Sequence, residues 1–240
     1  MTQVRMIILN DNVGSVGLLN DWGWSIYIEA HDQRALFDAD TSPSIIEHNS
    51  RILGIDLEKL DFAVLSHHHG DHYGGFSAIA EKHPDLPIYI PPGDTGWLQG
   101  LRLRPIIVDK PIRIKQGFWL SGPLEAWSGF YEQALGIEMD DWLVVVVGCS
   151  HPGVDVLAER LHRITSRPIL LVIGGFHSPT REQLDKLAKI SKYICPTHCS
   201  GWEAKRYVAQ QYPNKYCEAR TGTRITITKS LTIITEHFPY

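Results

Sequence analysis

The sequence predicts one compact α/β domain over residues 1–240, on three observations. Short β-like runs separated by Asn, Asp and Gly fill the N-terminal part. Apolar runs then alternate with helical patterns between Trp142 and Gln211, a βαβα order. Two final runs read as a closing hairpin, and no linker, low-complexity run or short repeat divides the chain.

Taken in order, Met1 to Asn10 reads as a first strand. Ser25 to Glu29 and Ala35 to Asp38 continue a meander. Ser44 to Leu53 carries apolar residues at Ile45, Ile46, Ile52 and Leu53, a helix stopped by Gly54. Phe62 to Leu65 is a buried strand, Phe76 to Lys82 a helix ended by His83-Pro84, and Ile88 to Ile90 a strand ended by Pro91-Pro92-Gly93. The Gly, Pro and aromatic content of Asp94 to Asp141 predicts a long loop with short strands, the kind of segment that walls a substrate site. Trp142 to Val147, Ile169 to Ile173 and Tyr193-Ile194 are strands. Val154 to Ile164, Arg181 to Ile190 and Trp202 to Gln211 are helices. Arg224 to Thr228 and Leu231 to Ile234 form the hairpin around Lys229-Ser230.

Composition excludes several classes. A net charge of -4 leaves no overall basic surface for a nucleic acid backbone or an acidic membrane. No run approaches the roughly 20 apolar residues that span a bilayer, and the short apolar N-terminus lacks a small-residue cleavage site. Four cysteines, Cys149, Cys195, Cys199 and Cys217, do not resemble a secreted disulfide framework, so a reducing cytoplasm is the expected compartment.

Histidine, with 12 copies, is the informative residue. Phe62 to Leu65 runs directly into Ser66-His67-His68-His69-Gly70-Asp71-His72, an H-x-H-x-D-H pattern. In an extended stretch alternate side chains share a face, so His67 and His69 converge while His68 points away. Asp71 and His72 follow at a turn through Gly74-Gly75 and add a carboxylate and a third imidazole. Neutral imidazoles with carboxylate suit a divalent cation, zinc first, although iron, manganese and nickel accept the same set. Three further histidines follow apolar runs and are expected at one sheet edge: Gly148-Cys149-Ser150-His151, Gly174-Gly175-Phe176-His177 and Pro196-Thr197-His198-Cys199. Cys195 and Cys199 lack a second Cys pair at zinc spacing and read as packing residues. Asp11 and Asp38 each follow a strand, where an aspartate either accepts an imidazole N–H or makes a turn.

These motifs resemble the metallo-β-lactamase superfamily. The resemblance implies an α+β fold, an αββα sandwich of two mixed β-sheets flanked by helices with one or two metals between them. The Gly148 to Gly153, Gly174 to His177 and Pro196 to Gly201 elements, with Glu132-Gln133-Ala134-Leu135, are similar to a microbial subgroup related to dihydropterin-methyl-ribofuranosylaminobenzene phosphate synthases. Carried over, the pattern makes His67 and His69 ligands of a first metal, and Asp71, His72 and His198 ligands of a second. Many superfamily members end the central strand in a bridging aspartate, where this chain has Cys149. His151 is therefore taken as the third ligand of the first metal. Cys149 is either a ligand, a thiol supporting one, or a small buried residue. His177 is a substrate contact or ligand support ahead of a metal ligand or a helix cap. The chain departs from the subgroup at Trp22-Gly23-Trp24-Ser25 and at Asp38-Ala39-Asp40.

The implied chemistry is hydrolysis of an ester, lactone or phosphoester of a small molecule, a phosphorylated one preferred on the subgroup resemblance, with Asp71 as the catalytic residue that both ligates and orients. A pterin-related synthase acting on a diphosphate leaving group is the alternative within enzymes. An iron-loaded redox module and a non-catalytic metal-binding scaffold are the alternatives from other classes. The sequence does not specify an oligomeric state.

Overall fold

A computed structural model describes residues 3–228 and 230–239. Its elements, numbered in chain order, begin with β1 (Val4–Asn10), β2 (Ser25–Ala30), β3 (Gln33–Phe37), α1 (Pro43–Leu53), β4 (Phe62–Val64), α2 (Gly70–Tyr73), α3 (Phe76–Lys82), β5 (Leu86–Ile90) and β6 (Leu103–Ile107). They continue with β7 (Ile112–Lys115), β8 (Phe118–Leu120), β9 (Leu124–Trp127), β10 (Phe130–Glu132), β11 (Leu135–Met139) and β12 (Trp142–Val147). The last are α4 (Val154–Thr165), β13 (Ile169–Gly175), α5 (Arg181–Ile190), β14 (Ser191–Thr197), α6 (Gly201–Gln211), β15 (Arg224–Ile227) and β16 (Ile233–Glu236).

Two mixed sheets face one another. The first has the order β16-β15-β1-β2-β3-β4-β5-β6, parallel from β3 to β6 and antiparallel elsewhere. The second has the order β14-β13-β12-β11-β8-β7, with β12, β13 and β14 parallel. Period-two alternation sorts the side chains into layers. Ala35 and Phe37 of β3 and Val144 and Val146 of β12 join the core between the sheets. Leu36 packs outward with Ile46, Phe76 and Ile79 under α1 and α3. Leu143, Val145 and Val147 pack outward against Val154, Leu157 and Leu161 of α4. Burial on both faces explains why Trp142 to Val147 is an unbroken apolar run. The result is the expected αββα sandwich.

Most expected elements are present, and the departures have physical causes. Asp94 to Asp141 holds six strands, β6 to β11. Four of them extend the two sheets, and β9 and β10 make a separate two-stranded hairpin. Strand β7 alternates apolar and charged residues (Ile112-Arg113-Ile114-Lys115), but it is only four residues long and lies at a sheet edge with most side chains exposed, so the alternation is too short to stand out from its surroundings. Strand β14 runs on through Cys195, Pro196 and Thr197, beyond the expected Tyr193-Ile194. A proline is tolerated there because β14 lies at the sheet edge. Asp71 and His72 lie on the one-turn helix α2 rather than before a helix. Of the hairpin turn expected at Lys229-Ser230, Lys229 lies outside the described residues, as do Met1 and Thr2 of the first strand.

The sheets place the chemistry at one edge. Asp38 follows β3, the His67 to His72 segment follows β4, and His151, His177 and His198 follow β12, β13 and β14 at their carboxyl ends. Gly174 lets β13 approach the end of β12: its φ is +138°, and a Cβ there would meet the Val147 carbonyl oxygen at 2.0 Å. Gly174→Ala is therefore expected to lower unfolding stability by about 3 kcal/mol, read as a shift of the urea midpoint. An unchanged midpoint would show that the β12–β13 approach is not needed.

Candidate metal centre

The His-rich segment leaves the sheet at Val64 and is held by hydrogen bonds rather than by strand pairing. Leu65 N donates to Tyr89 O at 2.9 Å, Ser66 N to Asp38 Oδ1 at 2.7 Å, and His69 N to His67 O at 3.1 Å. The expected alternation of side chains still holds. His67 Nε2 lies 3.1 Å from His69 Nδ1, while His68 turns away to Pro91 O and Trp97. Helix α2 then carries Asp71 and His72 back toward the same point. Gly75 permits the tight return, since a Cβ there would lie 2.1 Å from Ala39 O.

Two groups of three side chains converge, each with its donor atoms within 4.8 Å of one another: His67, His69 and His151, and Asp71, His72 and His198. The structure thus brings together all six residues expected as ligands, and His67 and His72 also group with Cys149.

The orientation of each imidazole follows from its outer nitrogen. Asp38 is fully buried; its Oδ2 accepts from His72 Nδ1–H at 2.7 Å and from the Ser66 hydroxyl at 2.7 Å. With its hydrogen committed to Asp38, Ser66 Oγ accepts from His67 Nδ1–H at 2.8 Å. Glu132, also fully buried, accepts from His151 Nδ1–H at 2.8 Å and from the backbone N–H groups of Cys149, Ser150 and His151. His198 Nδ1–H donates to Asn12 Oδ1 at 3.0 Å, and its backbone N–H donates to Asp11. Four rings therefore commit Nδ1 to the protein and turn Nε2 inward, which is how second partners fix the orientation of a metal-binding histidine. His69 presents Nδ1 instead.

The electrostatics suit a cation. Burial, then the charge that His72, His151, His69 and His198 can carry, pushes His67 well below the ordinary imidazole pKa. Burial and His151 also lower His69, against the opposing pull of Asp71. Both rings stay neutral at physiological pH and keep a lone pair to donate. Burial raises the Asp71 carboxyl, but the His198 imidazole facing it and the charge of His72 outweigh that and hold it below the usual carboxylate range. For His72, burial lowers the pKa, but Asp38 and then Asp71 more than offset it and raise it to about 9, so a cation at Nε2 would take the place of a proton there. Among the described residues His198 Nε2 is buried with no hydrogen-bond partner, and Asp71 Oδ2 stands 3.5 Å away. A buried nitrogen without a partner costs stability unless something binds it, so the residues present fit a divalent cation in donor type, orientation and charge.

The residues left open in the sequence are also in this pocket. Cys149 Sγ lies 3.3 Å from His72 Nε2. His177 stands at the more exposed rim, its ring 4.3 Å from that of His151, and groups with Cys149 and Cys199. Cys199, read as a packing residue, has its Sγ 3.2 Å from that of Cys149. Cys195 is fully buried in the core between the sheets, in keeping with the packing reading. All four cysteines are free and buried.

Sequence reasoning missed the roles of Ser66, Asn12 and Glu132. Glu132 had a usable signal, a charged residue directly before the buried Gln133-Ala134-Leu135 run. It also missed the aromatic walls. Trp22 donates Nε1–H to Asp71 Oδ2 at 2.9 Å and places its ring 5.2 Å from His198. Trp127 stacks on Phe130 at 4.2 Å, and both rings lie beside His69 and His151. Glu132→Gln would set an amide N–H against N–H donors. It is expected to cost about 3 kcal/mol of unfolding stability by stranding buried donors, and a chemical denaturation midpoint equal to that of the wild type would refute the role given to Glu132.

The sequence matches the family described as the metallo-beta-lactamase superfamily over residues 22–198. It is 26% identical to the 7,8-dihydropterin-6-methyl-4-(beta-D-ribofuranosyl)-aminobenzene-5'-phosphate synthase of Methanocaldococcus jannaschii, over 83% of this chain and 88% of that one. Among solved structures the fold is similar to Tm1679, described as a metal-dependent hydrolase of the beta-lactamase superfamily (TM-score 0.76, 22% identity, 92% of this chain and 98% of that one). It is also similar to a diphosphatase from the PhnP family (TM-score 0.62, 17% identity, 94% and 98%). The match from Trp22 to His198 encloses every residue of both three-ligand sets, and the chain belongs to the metallo-beta-lactamase superfamily.

Proposed function

We propose that the protein is a metal-dependent hydrolase of a small, phosphorylated ester, lactone or phosphoester, with two divalent cations, zinc first, held by His67, His69 and His151 and by Asp71, His72 and His198. The observation that carries this is the pair of three-ligand sets lying side by side, the His67 and His72 rings 4.1 Å apart, with four inward Nε2 atoms fixed by buried partners. When bound, such cations supply a nucleophile from water at neutral pH and stabilise the negative charge that develops on the attacked group.

The chain's own residues do the rest. Asp71 turns one carboxylate oxygen toward His72 and His198 and is anchored by Trp22. That anchor fixes the carboxylate that orients the attacking water. His177, at the rim beside His151, is the residue placed to contact the substrate or the leaving group. Trp22 and the Trp127–Phe130 pair wall the pocket on the sides of the second and first sets and limit water around the reacting atoms.

One observation favours a second reading, a pterin-related synthase in which a diphosphate leaves from a flat heteroaromatic electrophile. Trp127 is 51% exposed yet stacks within 3° of parallel on Phe130, so it offers a flat ring face beside the site. The M. jannaschii relative has a name of that kind. Panels of esters, lactones and phosphodiesters, run beside a pterin diphosphate with an arylamine, separate the two. Hydrolysis is expected. Silence across the hydrolytic panel together with condensation would overturn the first reading in favour of the second.

Two further outcomes are expected. Asp71→Ala should lower kcat by about 100-fold or more, with far-ultraviolet circular dichroism unchanged; wild-type turnover in this variant would remove Asp71 from the mechanism. Dialysis against a chelator should abolish turnover and restore it on adding zinc, and turnover that survives complete metal removal would contradict a metal-dependent reaction.

A further inference from the structure

The two three-ligand sets share no residue, yet one side chain reaches a member of each. Cys149 Sγ, His67 and His72 form a third group whose donor atoms lie within 4.8 Å of one another. His67 belongs to the first set and His72 to the second. The nearby carboxylates are committed elsewhere. Asp38 holds the outer nitrogen of His72 together with Ser66, Glu132 holds that of His151 and three backbone N–H groups, and Asp71 belongs to the second set alone.

The position of the thiol is built in. Its backbone N–H donates to Glu132 Oε1 at 2.9 Å, the same carboxylate that orients His151. The preceding residue, Gly148, packs so closely that a Cβ there would meet Ser66 Oγ at 2.1 Å. These contacts bring the end of β12 against the segment that carries His67. Cys199 stands behind, its Sγ 3.2 Å from Cys149 Sγ, where it can donate an S–H to a sulfur that has become an acceptor. The unpartnered, buried His198 Nε2 marks the second set as a place where a further atom is expected.

We propose that Cys149 supplies a thiolate that bridges the two cations, making this a mixed imidazole, carboxylate and thiolate centre. The inference rests on the two-cation reading above. On metal binding the Cys149 S–H bond breaks, its proton leaves to solvent, and the sulfur electron pairs form one bond to each cation. A soft bridging ligand turns the site toward zinc, cobalt and iron and away from magnesium.

The test is cobalt(II) titration of the metal-free full-length protein under reducing, anaerobic conditions. The wild type is expected to bind two cobalt ions and to show a near-ultraviolet sulfur-to-cobalt charge-transfer band. Cys149→Ser should lose the band and bind the second cobalt at least about 10-fold more weakly, as even the loss of a ligand's outer partner does. Cys199→Ser should keep the band. Two bound cobalt ions without the band, or a band that survives in Cys149→Ser, overturns the thiolate bridge and leaves the two-cation centre standing. A wild type that binds no cobalt overturns the two-cation reading itself. If Cys149→Ser does not fold, cadmium NMR of the wild type decides: two signals both shifted in the sulfur-ligated direction support the bridge, and only one shifted signal, or none, overturns it.

Discussion

At the end of β3 the carboxylate of Asp38, removed from solvent, accepts from the Ser66 backbone N–H, the Ser66 hydroxyl and His72 Nδ1–H. Much of the pocket depends on this one anion. It fixes where β4 ends and the His-rich segment begins, and it fixes the tautomer of His72 directly and that of His67 through Ser66. The two rings belong to different three-ligand sets, so one carboxylate registers both halves of the site against a single strand. Glu132 does the same work from the separate β9–β10 hairpin, tying His151 and the Cys149 backbone to the end of β10. Burying either carboxylate is costly unless every lone pair has a donor, and in both cases the donors are the residues that build the site.

The sandwich explains why these groups meet. Parallel strands β3 to β5 in one sheet and β12 to β14 in the other end at a common rim, and their carboxyl-terminal loops carry the polar residues. The core below is apolar from both sides, so the rim is a boundary between a dry interior and water. His67 and His69 at that boundary lose their charge to burial and to neighbouring imidazoles, whereas Asp38 and Asp71 hold the charge of His72. The backbone is strained there as well: Asp38, Ser150, His177 and His198 all adopt positive φ. Such outliers cost stability and persist where packing and hydrogen bonds hold them, as the Asp38, Glu132 and Asp11 contacts do here.

Much of this was legible in the residues because strong local signals coincide with the fold. The apolar strands, the Gly54 stop and the H-x-H-x-D-H spacing each have one dominant physical reading. His151, His177 and His198 could be expected at one sheet edge because each follows an apolar run, and the strand ends do bring them there. The parts that resisted reading depend on long-range contacts with no local signature. Glu132 and His151 are adjacent only because β11 and β12 form an antiparallel hairpin that returns the chain. The approach of Cys199 to Cys149 requires β12, β13 and β14 to pair in register. Trp127 and Phe130 lie on a hairpin within a stretch whose Gly, Pro and aromatic content suggested a long loop with short strands, and only the tertiary fold shows that the aromatic faces meet the histidines.

The central claim is that the two sets of side chains each hold a cation. The most direct measurement is an anomalous-scattering crystal structure of zinc-loaded protein, recorded on both sides of the zinc absorption edge. The account predicts two peaks, one within bonding distance of His67, His69 and His151, the other within bonding distance of Asp71, His72 and His198. Zinc-loaded crystals with no peak at these residues, or with cations bound only elsewhere on the chain, would contradict it.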